Sequence, residues 1–313
     1  MATTPLTQSP TPSAFGGGPY PSRRARLIAL SVLAGFALTV LWSARFVDRV
    51  IGDNVANTLL GHDARETPIS GAWAGALFAF VTGLAGSFTA CNVAAFGAVA
   101  PLVGEQAPGR RRLGQTLKPV GWIAVGTLAV SAAYGVLVAL VGTRMPQFAT
   151  TPGGGGLSPR GIQSMVVFGV IGLAFLALGL ISTGVLRTPA TFRRHPNAPL
   201  VLLGALIGGF LIGRPYPLFR IMFRDAAESH NVFYGAGAFL LQSAGNIALM
   251  VVLFLLLTYV AGDRLRRWFA RGPARVATVT GSALLVGGTF TLFYWVLRSL
   301  GRAGIIWYPA IGW

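Results

Sequence analysis

From Thr67 to Gly104 the chain runs for 38 residues without a charged side chain: TPISGAWAGALFAFVTGLAGSFTACNVAAFGAVAPLVG. A membrane-crossing helix needs about 20 apolar residues, so this run is too long for one plain span and short for two with a turn. Near its middle sits a polar cluster, Ser87, Thr89, Cys91 and Asn92. Lipid cannot satisfy backbone groups that a break sets free. The run therefore predicts one tilted or broken helix whose polar cluster faces protein or water.

Other runs repeat the theme. Leu27 to Ala44 gives 18 uncharged residues, and charged residues make up only 11% of the chain against 53% hydrophobic. Soluble domains carry about 25% charged residues. The pattern predicts an all-α, polytopic membrane bundle. A net charge of +17 could point to nucleic acid, but no separate basic domain exists to bind it. The arginines sit in short loops between apolar runs, where they set topology through the positive-inside bias. With a single cysteine, Cys91, neither an intramolecular disulfide nor an all-cysteine metal site can form.

Taken in order, residues 1–25 are rich in Pro, Gly, Ser and Thr and read as a disordered cytoplasmic tail. No secretory leader is expected, because the first apolar run is long and no clear cleavage site follows it. Residues 26–45 form an extra transmembrane helix, and 45–66, of mixed charge, reads as an outside loop. Residues 67–186 hold three spans and 199–299 three more. Residues 300–313, with Trp307, Tyr308 and Trp313, form an external tail suited to the interface. Placing the N-terminus in the cytoplasm puts 15 of the 25 Lys and Arg inside, and all the acids except Glu105 and Asp263 outside. Seven spans in the plasma membrane, N-terminus in and C-terminus out, follow.

The fifth span is apolar only to Gly213 and then meets Arg214, Pro215, Tyr216, Pro217, Leu218, Phe219 and Arg220. Prolines remove backbone donors and clash with the preceding turn, so this helix should break. Spans two and five thus share a design, small residues followed by a polar break. A three-span unit repeated once has opposite orientations, so two inverted three-helix repeats are expected, with a site where the broken helices meet. Gln242 and Asn246, one turn apart in span six, share a helix face, where they either hydrogen-bond between helices and hold the bundle together or line a cavity between spans five and six. An arginine inside a membrane costs about 2.5–3.5 kcal/mol at the centre and tends to be functional. Arg214 is expected either to bind an anionic group or to pair with Asp225 or Glu228.

These features resemble the transmembrane domain of the CcdA/DsbD thiol–disulfide electron carriers of cytochrome c biogenesis, over roughly residues 70–300. The family has two inverted three-helix repeats, the first helix of each carrying a Pro-Cys motif. GSFTACNVAAFGAVAP aligns with the first motif, with Cys91 at the first redox cysteine. GRPYPLFR aligns with the second, keeping Pro215 and Pro217 but placing Tyr216 at the second cysteine. Ala90 stands where the family has proline. A disulfide relay needs two thiols, so the resemblance implies at most a mixed disulfide between Cys91 and an extracytoplasmic thioredoxin-like or other thiol partner.

Three readings are open at this level. The first is a membrane thiol–disulfide oxidoreductase acting through Cys91. The second is a carrier of a small solute or ion, its site lined by Ser87, Thr89, Asn92, Arg214, Pro215, Tyr216, Pro217, Gln242 and Asn246. The third is a non-catalytic scaffold. No cofactor or metal is called for. Asp225, Glu228 and His230 are acceptable ligands, but short polar loops bring such trios together by chance. Gly153 to Gly156 lacks the Lys-Ser/Thr that would follow in a phosphate loop, and no paired-carboxylate or Ser-His-Asp set supports hydrolysis.

Overall fold

The computed structural model describes residues 15, 19–43, 46–87, 92, 96–98, 112–149, 151, 157–214, 216–272 and 274–309. Among them every regular element is a helix. The order is α1 (Arg24–Leu41), a π-helical stretch (Phe46–Asp53) running into α2 (Asn54–Leu60), α3 (Gly71–Ala85), α4 (Arg112–Val141) and α5 (Pro159–Ser182). After the short α6 (Ala190–Arg194) come α7 (Ala198–Gly213), α8 (Pro217–Glu228), α9 (Val232–Ala270) and α10 (Arg275–Leu292).

Helices α1, α4, α5, α9 and α10 are long and apolar enough to cross a membrane, and α7 with α8 makes a sixth candidate bent by 86°. Their outer faces leave Leu33, Leu140, Val166, Val170, Leu173 and Val252 in the open, a placement suited to lipid. Helix α3 is apolar but only 15 residues long, roughly 22 Å at 1.5 Å per residue. The bend between α7 and α8 has a local cause. Arg214 and Tyr216 leave the helix in extended conformations, and Pro217 restarts it at a first-turn position, where its missing N–H is harmless.

Packing follows the glycines. Helix α4 lies against α7 and α9, α9 against α3, α5 against α10, and α1 against α10. A Cβ on Gly83 of α3 would overlap the Gln242 carbonyl of α9, and one on Gly245 would overlap the Phe80 carbonyl. The α7–α4 crossing is built alike: Gly204 abuts the Ile123 carbonyl and Gly126 the Val201 carbonyl. Between α5 and α10, Gly172 packs on the Gly288 backbone and Gly179 on that of Gly281. In a membrane, where lipid is as apolar as leucine, such close backbone approach is a main source of helix association. Phe168, Phe175, Phe210, Phe254 and Phe290 fill the core on one side; Tyr216, Phe219, Phe223 and Phe239 fill it on the other.

Two segments differ from the sequence reading. Residues 46–60 are helical rather than an open loop, and they pack on α3. The end of the expected disordered tail is docked: Arg24 donates to the Gly184 carbonyl (2.8 Å) and the Tyr20 ring covers Gly184. Gly184 has a left-handed φ of 75°, which only glycine adopts readily, and its missing side chain makes the seat for that ring.

Candidate functional site

The site is assembled from helix ends. Helix α3 stops at Ala85 and α7 at Gly213, and helix C-termini leave carbonyls without intrahelical donors. Neighbouring side chains cap those of α7: Gln163 Nε2 donates to the Ile212 carbonyl (2.8 Å) and Ser164 Oγ to that of Gly213 (2.6 Å). Arg214 joins the two ends. One guanidinium nitrogen donates to the Gly86 carbonyl just beyond α3, at 2.5 Å. The other donates to Asp48 Oδ1 at 2.6 Å. The cation therefore sits where two negative helix ends converge and a carboxylate faces it, which offsets its removal from water. Its guanidinium also lies 4.8 Å from the Tyr216 ring centre and 5.3 Å from that of Phe219, within cation–π range.

Beside Arg214 is a cavity of about 60 Å³, room for several waters by the same measure. Asn92, Arg214, Gln242 and Asn246 line it together with Asp48 and Ser243. Its apolar wall includes Trp42, Phe168, Phe210, Phe290 and Trp295, held by edge contacts such as Trp42–Phe290 (5.7 Å) and by the stacked pair Phe168–Trp295 (4.4 Å). Asn92 Nδ2 donates to Asn246 Oδ1 (3.0 Å) and to the Ser87 carbonyl (3.1 Å). Ser243 shares a 2.5 Å hydrogen bond with Ser131 of α4. Gln242 stands apart. Its side chain is fully buried, yet neither its amide oxygen nor its amide nitrogen has a partner among the described residues. Leaving a buried amide unpaired costs about 1–3 kcal/mol per group.

The remaining sequence candidates fall in several places. Ser87 faces an adjoining recess of about 210 Å³ shared with Asn92 and Asn246. Tyr216 is fully buried under Arg214, its hydroxyl 3.4 Å from Asp53, which pairs with Arg65 at 2.6 Å. Pro217 lines a separate outer mouth. Cys91, Thr89 and Pro215 lie outside the described residues, as do Gly153 to Gly156 and Trp313.

One expectation is corrected outright. Arg214 pairs with Asp48, not with Asp225 or Glu228, because the bend carries α8 away from the break. Asp225 instead accepts a hydrogen bond from Tyr234. His230 bonds the Glu228 carbonyl through Nδ1 (2.8 Å), and no three-residue metal cluster forms among the described residues. The sequence reading missed Asp48, Asp53 and Ser243. The available signal was two acids, Asp48 and Asp53, in a short segment flanked by apolar runs.

No family model, curated protein or solved structure matches this chain.

Proposed function

We propose that the chain is a seven-span carrier in the plasma membrane, built from two inverted three-helix repeats, that binds a small hydrogen-bonding solute in the Arg214–Gln242 cavity. The repeats are α3–α4–α5 and α7–α9–α10, with α1 as an addition. Their support is the reciprocal packing. The first helix of each unit lies on the second helix of the other, the second helices pair, and the third helices pair. The N-terminus is cytoplasmic on the positive-inside count, and the seventh span is assigned to the uncharged run Thr67 to Gly104, in which α3 lies.

The observation that carries this reading is Gln242. It lies roughly 15 Å along α9 from Val232, close to mid-membrane depth for a 30 Å hydrocarbon core. A buried amide with no partner among the described residues, beside an internal ion pair and two further amides, is suited to a guest that supplies both a donor and an acceptor. The saturated Arg214–Asp48 pair fixes the two helix breaks and keeps the cavity's net charge near zero, which favours polar or zwitterionic solutes over simple ions. A thiol relay of the CcdA/DsbD kind rests on Cys91 alone; the transport reading draws on residues whose contacts are described.

The test is uptake into proteoliposomes across a panel of small polar solutes. Wild-type protein should accumulate at least one, and Gln242→Leu should lose it while Cys91→Ser retains it. Equal uptake by wild type and Gln242→Leu would remove the cavity from the mechanism. Loss in Cys91→Ser with changed thiol status outside the membrane would restore the redox reading.

A further inference from the structure

A second polar feature lies on the opposite face of α8. The helix is amphipathic: Leu218, Phe219, Met222, Phe223, Ala226 and Ala227 are buried, while Arg220, Arg224, Asp225 and Glu228 face an open mouth of about 500 Å³ with Arg65 and Phe148. Arg160, at the start of α5, stands beside this mouth. Its backbone N–H bonds the Ala149 carbonyl next to Phe148 (3.3 Å). Arg160 has a buried guanidinium nitrogen without a partner among the described residues, and so has Arg220. Among the described residues neither they nor Arg224 forms an ion pair; the ion pairs there are Arg65–Asp53 and Arg214–Asp48. Of the two acids on the wall, Asp225 is engaged by Tyr234, leaving Glu228 against three free cations.

Arginines gathered at one mouth with unmet donors are suited to a shared anion. In the topology proposed above this mouth is extracytoplasmic, where the positive-inside rule disfavours arginine, so topology does not call for the cluster. We propose that the mouth binds a phosphate-type oxyanion between Arg220 and Arg224, with Arg65 at its rim and Arg160 behind it. Guanidinium forks match the oxygen geometry of phosphate. The phosphate could be free in solution or belong to a lipid headgroup at the interface. This site does not depend on transport through the inner cavity.

The experiment uses the full chain in maltoside, a phosphate-free detergent. One arm titrates inorganic phosphate by calorimetry at constant ionic strength. The other follows retention of phosphatidylglycerol by native mass spectrometry. Arg220→Gln and Arg224→Gln should each weaken binding at least about tenfold, and Arg160→Gln about threefold. Arg271→Gln, at the far end of α9, should leave it unchanged. Saturable phosphate binding lost in Arg220→Gln assigns a soluble anion. Lipid retention lost in Arg220→Gln without phosphate binding assigns a headgroup. Should Arg220→Gln fail to fold, the exposed Arg224→Gln carries the comparison. The proposal is overturned if neither ligand distinguishes wild type from the folded variants, or if Arg271→Gln weakens binding equally.

Discussion

Two crossings in this molecule share one plan and differ in chemistry. Where α7 meets α4, Gly204 rests on Ile123, and Gly126 on Val201; where α3 meets α9, Gly83 rests on Gln242, and Gly245 on Phe80. In each, a three-residue step along one helix meets a three-residue step along the other. At the first crossing the next polar group is Thr127, whose hydroxyl lies 2.9 Å from the Gly204 carbonyl and 3.0 Å from that of Ile123. It is buried and satisfied. At the second, the corresponding positions carry Gln242 and Asn246, which face a cavity. Close glycine packing builds both crossings, and the amides at one of them are an addition that packing does not require.

This comparison can be broken in several places. The largest effect belongs to the shared plan. Gly83→Leu and Gly204→Leu drive a side chain into a facing backbone carbonyl, and overpacking that cannot be relieved costs upward of about 3 kcal/mol. Both should abolish monodisperse protein in detergent; survival of one alone would show that the crossings are not equivalent. Next comes the charge. Arg214→Ala strands Asp48 and uncaps Gly86, at about 3–5 kcal/mol by thermal or denaturant unfolding. Asp48→Asn with Arg214→Gln should recover part of that loss, since neither charge is then left alone. Moving the amide follows: Ile123→Gln places an unmet amide at the first crossing and should destabilise by about 1–3 kcal/mol. Smallest is Thr127→Val, which removes one interhelical hydrogen bond worth about 0.6 kcal/mol.

Five helices long and apolar enough to cross a membrane were legible as long uncharged runs, which are visible in a linear sequence. The α7–α8 break was legible too, through Arg214 and the flanking prolines, since proline acts locally. The spacing of Gln242 and Asn246 put them on one face, and they line one cavity. Asp48 was not legible as the partner of Arg214. The two are 166 residues apart, and mixed charge between Arg45 and Glu66 looks like a solvated loop when its fold back onto α3 is unknown. Nearness in sequence pointed instead to Asp225, which lies eight residues beyond Pro217, roughly 12 Å along α8. At 46–53 the apolar residues Phe46, Val47, Val50 and Ile51 recur at helical spacing, a pattern that sets Asp48 on the polar face with Arg49 and so reads as turned toward solvent.

The most direct measurement is the unfolding stability of Gln242→Met, a change that keeps the side chain's length and removes its polar atoms. If Gln242 is held unpaired for a guest, the variant should be more stable than wild type in the absence of solute, by about 1–3 kcal/mol, and solute should no longer raise its stability. A Gln242→Met protein less stable than wild type would mean that the amide is already bonded within the fold, and the cavity would lose its standing as a binding site.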